Sequence, residues 1–121
     1  MPITLTKHQI DWARRQGFRF STERGTVLFE AFVDKRGDLG EGERYTRDGW
    51  RSAPGAGYRL ARVAVFHDPG REDDHCNVSL MTRGKGKVRN AGTMRAAFEQ
   101  ALKHLEGLRR DGYRVVTDRM P

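Results

Sequence analysis

Between residues 93 and 110 the apolar side chains Met94, Ala97, Phe98, Ala101, Leu102, Leu105 and Leu108 recur at intervals of three and four, which is the period of one helix face. The opposite side carries Arg95, Glu99 and Lys103, then Glu106 and Arg110, a pattern of i,i+4 partners that stays in water. The spacing predicts a helix from about Ala91 or Thr93 to Arg110, stopped by Asp111 and Gly112. Such a stripe is stable only when a second apolar surface covers it, so the rest of the chain must supply that surface.

Two-residue alternation supplies it. In Thr26 to Asp34 the residues Val27, Phe29, Ala31 and Val33 share one face, and Leu28, Glu30 and Phe32 the other. Tyr58 to His67 puts Ala61, Val63 and Val65 on one face and Leu60, Arg62, Ala64 and Phe66 on the other; Cys76 to Arg83 does the same with Cys76, Val78 and Leu80. Phe18 and Phe20 alternate with Arg19 and Ser21 ahead of Glu23-Arg24-Gly25, which reads as a hairpin turn, and Asp68-Pro69-Gly70 is a second turn signal. Tyr113 to Asp118 reads as a last, edge strand. A short helix at about Lys7 to Gln16 is marked by Thr6 and Gln9 as a capping box and by Gly17 as its stop.

The expectation is an α+β domain over residues 1–121: an antiparallel sheet of about five strands in meander order, one long helix across one face and a short N-terminal helix at an end. Val27, Phe29, Ala31, Val63, Val65, Val78 and Leu80 form its core with the helix stripe. Phe32, Leu60 and Phe66 on the second sheet face imply either a homodimer interface or cover by the N-terminal helix. Leu, Ile, Val and Phe make up only 24 of 121 residues, so the core is thin; the net charge of +7 over 121 residues is modest enough for a folded chain.

The longest apolar runs, such as Val63 to Phe66, fall far short of the ~20 residues of a membrane span, and no apolar signal region follows Lys7 and His8. One cysteine, Cys76, makes no intrachain disulfide and no zinc framework. These features predict a cytoplasmic protein with no membrane partner and no cofactor. Positive charge is mostly arginine, 18 against 5 lysines, beside 14 glycines, a balance that a biased genome composition also produces. The position of the cations therefore carries more information than their number.

Arg83-Gly84-Lys85-Gly86-Lys87-Val88-Arg89-Asn90-Ala91-Gly92-Thr93-Met94-Arg95 holds five cations and no acid, and reads as a loop joining the last hairpin strand to the long helix. Helix N-termini offer unpaired N–H groups, and glycines let an anion reach the backbone. Arg83, Lys85, Lys87, Arg89, Asn90 and Arg95 are thus candidate phosphate contacts; the alternative is a solvated turn that keeps an edge soluble. No Walker-type spacing is present, so nucleotide hydrolysis is not implied. Over residues 76 to 105 the strand, Gly-Lys-Gly-Lys loop and Ala-rich helix resemble the end of a double-stranded-RNA-binding domain, whose last helix holds phosphates at its start. The interval from Ala96-Ala97 to Ala101-Leu102 is one residue long for that pattern, and Val88, Asn90 and the extra strands depart from it, so the phosphate argument is carried and the family is not.

Residues 34 to 57 hold six glycines and Pro54 without a period, and read as a mobile loop. Its second half offers Arg44, Tyr45, Arg47, Trp50 and Arg51, where aromatic faces could stack on bases beside guanidiniums, or where Tyr45 and Trp50 could cap the core edge instead. His67, Asp68, Asp73, Asp74, His75 and Cys76 cluster near the other hairpin tip, which reads as an exposed turn and not a metal site. No nucleophile or matched histidine pair is assigned, so the sequence leans away from an enzyme; a small basic ribonuclease using His67 or His75 is the least supported reading. The expected function is non-enzymatic nucleic-acid binding through the phosphates common to DNA and RNA. The alternative is a small protein-binding module or inhibitor docking its basic face on a nucleic-acid-processing partner.

Overall fold

The computed structural model describes residues 6–23, 26–35, 60–67, 75–82 and 85–117. The chain runs α1 (Lys7–Arg15), β1 (Arg19–Glu23), β2 (Thr26–Asp34), β3 (Leu60–His67), β4 (Cys76–Thr82), β5 (Lys85–Gly92), α2 (Met94–Arg110) and β6 (Arg114–Val115). The sheet is antiparallel in the order β1-β2-β3-β4-β5, with β6 paired to β2. The expected α+β class and antiparallel sheet are therefore the fold, but the meander is completed by β5, which was not expected as a strand, while the expected last strand pairs back to β2.

Both helices begin as their sequences demand. The Thr6 hydroxyl accepts from the Gln9 N–H at 3.2 Å while the Gln9 carboxamide accepts from the Thr6 N–H at 2.9 Å, closing the capping box. Gly17 follows with φ of 106°, a left-handed conformation that a side chain resists. The Thr93 hydroxyl caps α2 by accepting from the Ala96 N–H at 3.1 Å.

The α2 stripe packs on the sheet face made by Phe29, Ala31, Val33, Ala61, Val63, Val65, Cys76 and Val78, all buried. Leu80 is half-buried against the same core, and the Val27 side chain lies outside the described residues. Phe98 is the hub. Its ring meets Phe29 of the sheet at 5.0 Å, Phe18 at 5.5 Å and Trp12 of α1 at 5.5 Å, each edge to face. One side chain thus ties α2, the sheet and α1 together.

That contact corrects the expected cover of the second sheet face. Ala13, Ile10 and Trp12 of α1 join the α2-side core, so α1 lies beside α2 and does not shield Phe32. Phe32 is nevertheless only 6% exposed, with the Arg19 guanidinium 5.1 Å from its ring centre. Beside it Glu30 binds Arg19 Nε at 3.0 Å through Oε2 and Arg62 Nη2 at 2.6 Å through Oε1, so one largely buried carboxylate links three strands. The Leu60 side chain lies outside the described residues.

Within the predicted last strand, Tyr113 to Asp118, the described residues form the two-residue β6, followed by a backbone hydrogen bond from Val116 and side-chain hydrogen bonds of Thr117. The Val116 N–H donates to the Phe32 carbonyl at 2.8 Å, and the Thr117 hydroxyl accepts from the Phe32 N–H at 3.0 Å and donates to the Gly17 carbonyl at 2.6 Å. The segment Lys85–Gly92 also differs from expectation, because it is a full strand and not a loop. Its residues from Lys85 to Asn90 are exposed on both faces, so no burial imposes an apolar alternation, and backbone pairing to β4 leaves no mark in side-chain composition.

Phe98→Ala is expected to cost about 3–5 kcal/mol in urea unfolding with an unchanged m-value, because it opens the junction of three elements at once. Glu30→Gln is expected to cost about 1–3 kcal/mol by the same measurement, since it leaves two partly covered guanidiniums without their carboxylate.

Candidate nucleic-acid interface

Side chains of β5 alternate across the sheet. Opposite Thr82, Leu80 and Val78 stand Lys85, Lys87 and Arg89, which places these three cations on the α2 side; Gly86, Val88 and Asn90 take the other side. Because β4 separates β5 from the sheet centre, α2 reaches β5 with its flank and not with its apolar stripe. Gln100, Lys103 and His104 occupy that flank.

The two rows face each other across a groove of about 420 Å³. Val78 and Leu80 form its floor, Lys87 and Arg89 one wall, and Gln100, Lys103 and His104 the other. Among the described residues no carboxylate lines it, and none lies within ion-pair distance of Lys87, Arg89 or Lys103. Partial burial and the neighbouring Arg89 charge hold the His104 imidazole below its ordinary pKa. The imidazolium form of His104 is thus disfavoured there. Chemically, the groove offers ammonium, guanidinium, carboxamide and imidazole donors around an apolar base, a set suited to a phosphodiester.

The predicted site residues divide. Lys87 and Arg89 meet in the groove, and Lys85 continues their row at the strand start. Arg95 does not join them: it lies on the other flank of α2, 91% exposed, 3.7 Å from Glu99, at the rim of a second groove of about 500 Å³ between α1 and α2. Asn90 serves the turn into α2, its carboxamide oxygen accepting from the Gly92 N–H at 3.0 Å, where Gly92 has a φ of 77°. Gly86 answers to packing, because a Cβ there would meet Met81 Cγ at 3.3 Å. Arg83, Arg44, Tyr45, Arg47, Trp50 and Arg51 lie outside the described residues.

Lys103 and His104 are additions that the chain pattern did not single out. Lys103 reads as a solvated helix position, and His104 as isolated, until β5 is known to pass beside them. For His104 the available signal was its place beside the apolar stripe on the side away from Arg95 and Glu99; Lys103 continues the Arg95 and Glu99 row and gave none. His67, expected at an exposed turn, stands opposite the inward-facing Cys76 in the β3–β4 ladder, and both are fully buried. His67 is therefore out of reach of an RNA substrate. Among the described residues no group of three or more His, Cys, Asp or Glu side chains is arranged to hold a metal. No helix among them is long and apolar enough to cross a membrane.

No protein-family model matches the chain, and neither a curated protein nor a solved structure is significantly similar to it. The groove must therefore be argued from its own chemistry.

His104 gives a pH dependence of stability. Its folded pKa lies below the ordinary value of 6.5, so it contributes stability that is complete above that pH and is lost as pH falls toward the folded pKa. Urea unfolding between pH 7.5 and 5 is expected to show this loss, and His104→Gln is expected to flatten that part of the profile.

Proposed function

We propose that the protein binds nucleic acid without catalysing a reaction on it, seating backbone phosphates in the groove between β5 and α2. The observation that carries this is the meeting of Lys87 and Arg89 with Lys103 and His104, drawn from two elements, with no lining carboxylate among the described residues. Cations scattered over a surface attract polyanions weakly; cations gathered around a groove focus the field and release condensed counterions when phosphates replace them. Lys85 extends the positive row along β5 for a second phosphate. A reducing, cytoplasmic setting suits the lone buried thiol of Cys76.

The contact is with the backbone, so the reading implies little base preference. It differs from the sequence-based expectation in one respect: the anion is held between a strand and a helix flank, and the capped α2 N-terminus plays no part.

Fluorescence anisotropy with labelled single-stranded DNA, duplex DNA and RNA at two salt concentrations tests the proposal. Affinity is expected to fall steeply with salt, and Lys87→Ala and Arg89→Ala are each expected to reduce the log–log salt slope by about one. Unchanged slopes in both variants, or no binding to any of the three ligands at low salt, would refute it. An oligonucleotide that binds here is also expected to raise the His104 pKa, because a phosphate favours the imidazolium; NMR titration of the ring protons with and without ligand reads this directly.

A further inference from the structure

We propose that the outer edge of β5 is a docking site for an extended acidic segment of another protein, which adds to the sheet as a further antiparallel strand. β5 ends the strand order β1-β2-β3-β4-β5, and its residues from Lys85 to Asn90 are all exposed. In an antiparallel ladder alternate N–H and C=O groups point away from the existing partner, and among the described residues no backbone hydrogen bond reaches the outward groups of this strand. Val88, at the strand's centre, is 60% exposed and is the exposed large hydrophobic side chain among the described residues. A six-residue edge with an apolar residue in its middle is the geometry of strand addition.

Charge decides the occupant. A second copy pairing antiparallel about Val88 would set Lys87 directly opposite Arg89 twice, and like charges facing across a ladder repel. Lysines on an edge commonly serve to keep other edges away, yet that task alone does not call for an exposed apolar residue at the strand's centre. A strand whose residues opposite Lys85, Lys87 and Arg89 are acidic meets three cations on one face, and an apolar residue opposite Val88 covers it on the other. The motif is therefore alternating: acidic, apolar, acidic, apolar, acidic. This inference does not rest on the nucleic-acid reading, although both occupants use Lys87 and Arg89 and would exclude one another.

The test is an NMR titration of the isotopically labelled full chain with a blocked seven-residue peptide of alternating Glu and Val. Two further peptides carry N-methyl groups on every second amide, in the two opposite phases. The expected result is saturable binding with shifts and slowed amide exchange confined to 85–92 and the adjoining β4 residues. One N-methylated peptide should lose affinity at least tenfold and the other retain it, because only one edge of the added strand faces β5. Lys87→Glu should weaken the acidic peptide about tenfold and tighten its Lys-substituted counterpart. Val88→Thr, at an exposed position, should weaken binding while leaving the unfolding curve unchanged. No binding, shifts centred elsewhere, or equal affinity for both N-methylated peptides would overturn the proposal, the last by showing charge attraction without strand pairing. Oligonucleotide binding without peptide binding overturns this inference alone, and peptide binding without oligonucleotide binding overturns the nucleic-acid reading alone.

Discussion

The structure depends on the docking of one amphipathic helix onto one sheet face, with Phe98 as the point where that docking is fixed. Its ring touches Phe29, Phe18 and Trp12 edge to face, so the sheet, the entry to β1 and α1 are all positioned against α2 through a single side chain. A core this thin has few large residues to distribute, and concentrating aromatics at a junction gives each of them contacts to several elements at once. Small residues such as Ala97 and Ala101 then let α2 approach the sheet closely along the rest of its length.

Where α2 lies over the sheet determines which surfaces can serve a function. Its stripe covers the central strands, leaving one flank turned toward α1 and the other toward β5. The first flank holds Arg95 beside Glu99, a pair whose charges largely offset. The second holds Lys103 and His104 facing Lys87 and Arg89, where charges of one sign accumulate. The same helix therefore carries a neutral rim toward α1 and a basic wall toward β5. On the reverse of the sheet the charge logic is inverted: Glu30 sits between Arg19 and Arg62, which consumes two guanidiniums in cross-linking strands and removes them from any contest for anions.

Some features were legible because local interactions write them directly into the chain. The capping box at Thr6 and Gln9 joins residues three apart, and the alternation in β2, β3 and β4 follows from burial of one face of a pleated strand. The inward placement of Cys76 followed from the same parity; that His67 stands opposite it and is buried did not. β5 was illegible as a strand. Lys-Gly-Lys-Val-Arg-Asn has no apolar period because an edge exposed on both faces imposes none, and only the open side of β4 calls for it.

The chain alone thus determined the α+β class, the meander of alternating strands and the helix stripe, since each is set by contacts within a few residues or by which face must leave water. Tertiary structure decided which cations meet. Lys87 and Lys103 lie 16 positions apart, and Arg89 and Arg95 only six, yet the first two share a groove and the second two stand on opposite flanks of α2. The reason is that a charged side chain in water contributes too little to folding to choose its own neighbours; the apolar stripe rotates α2, and the cations go where that rotation carries them.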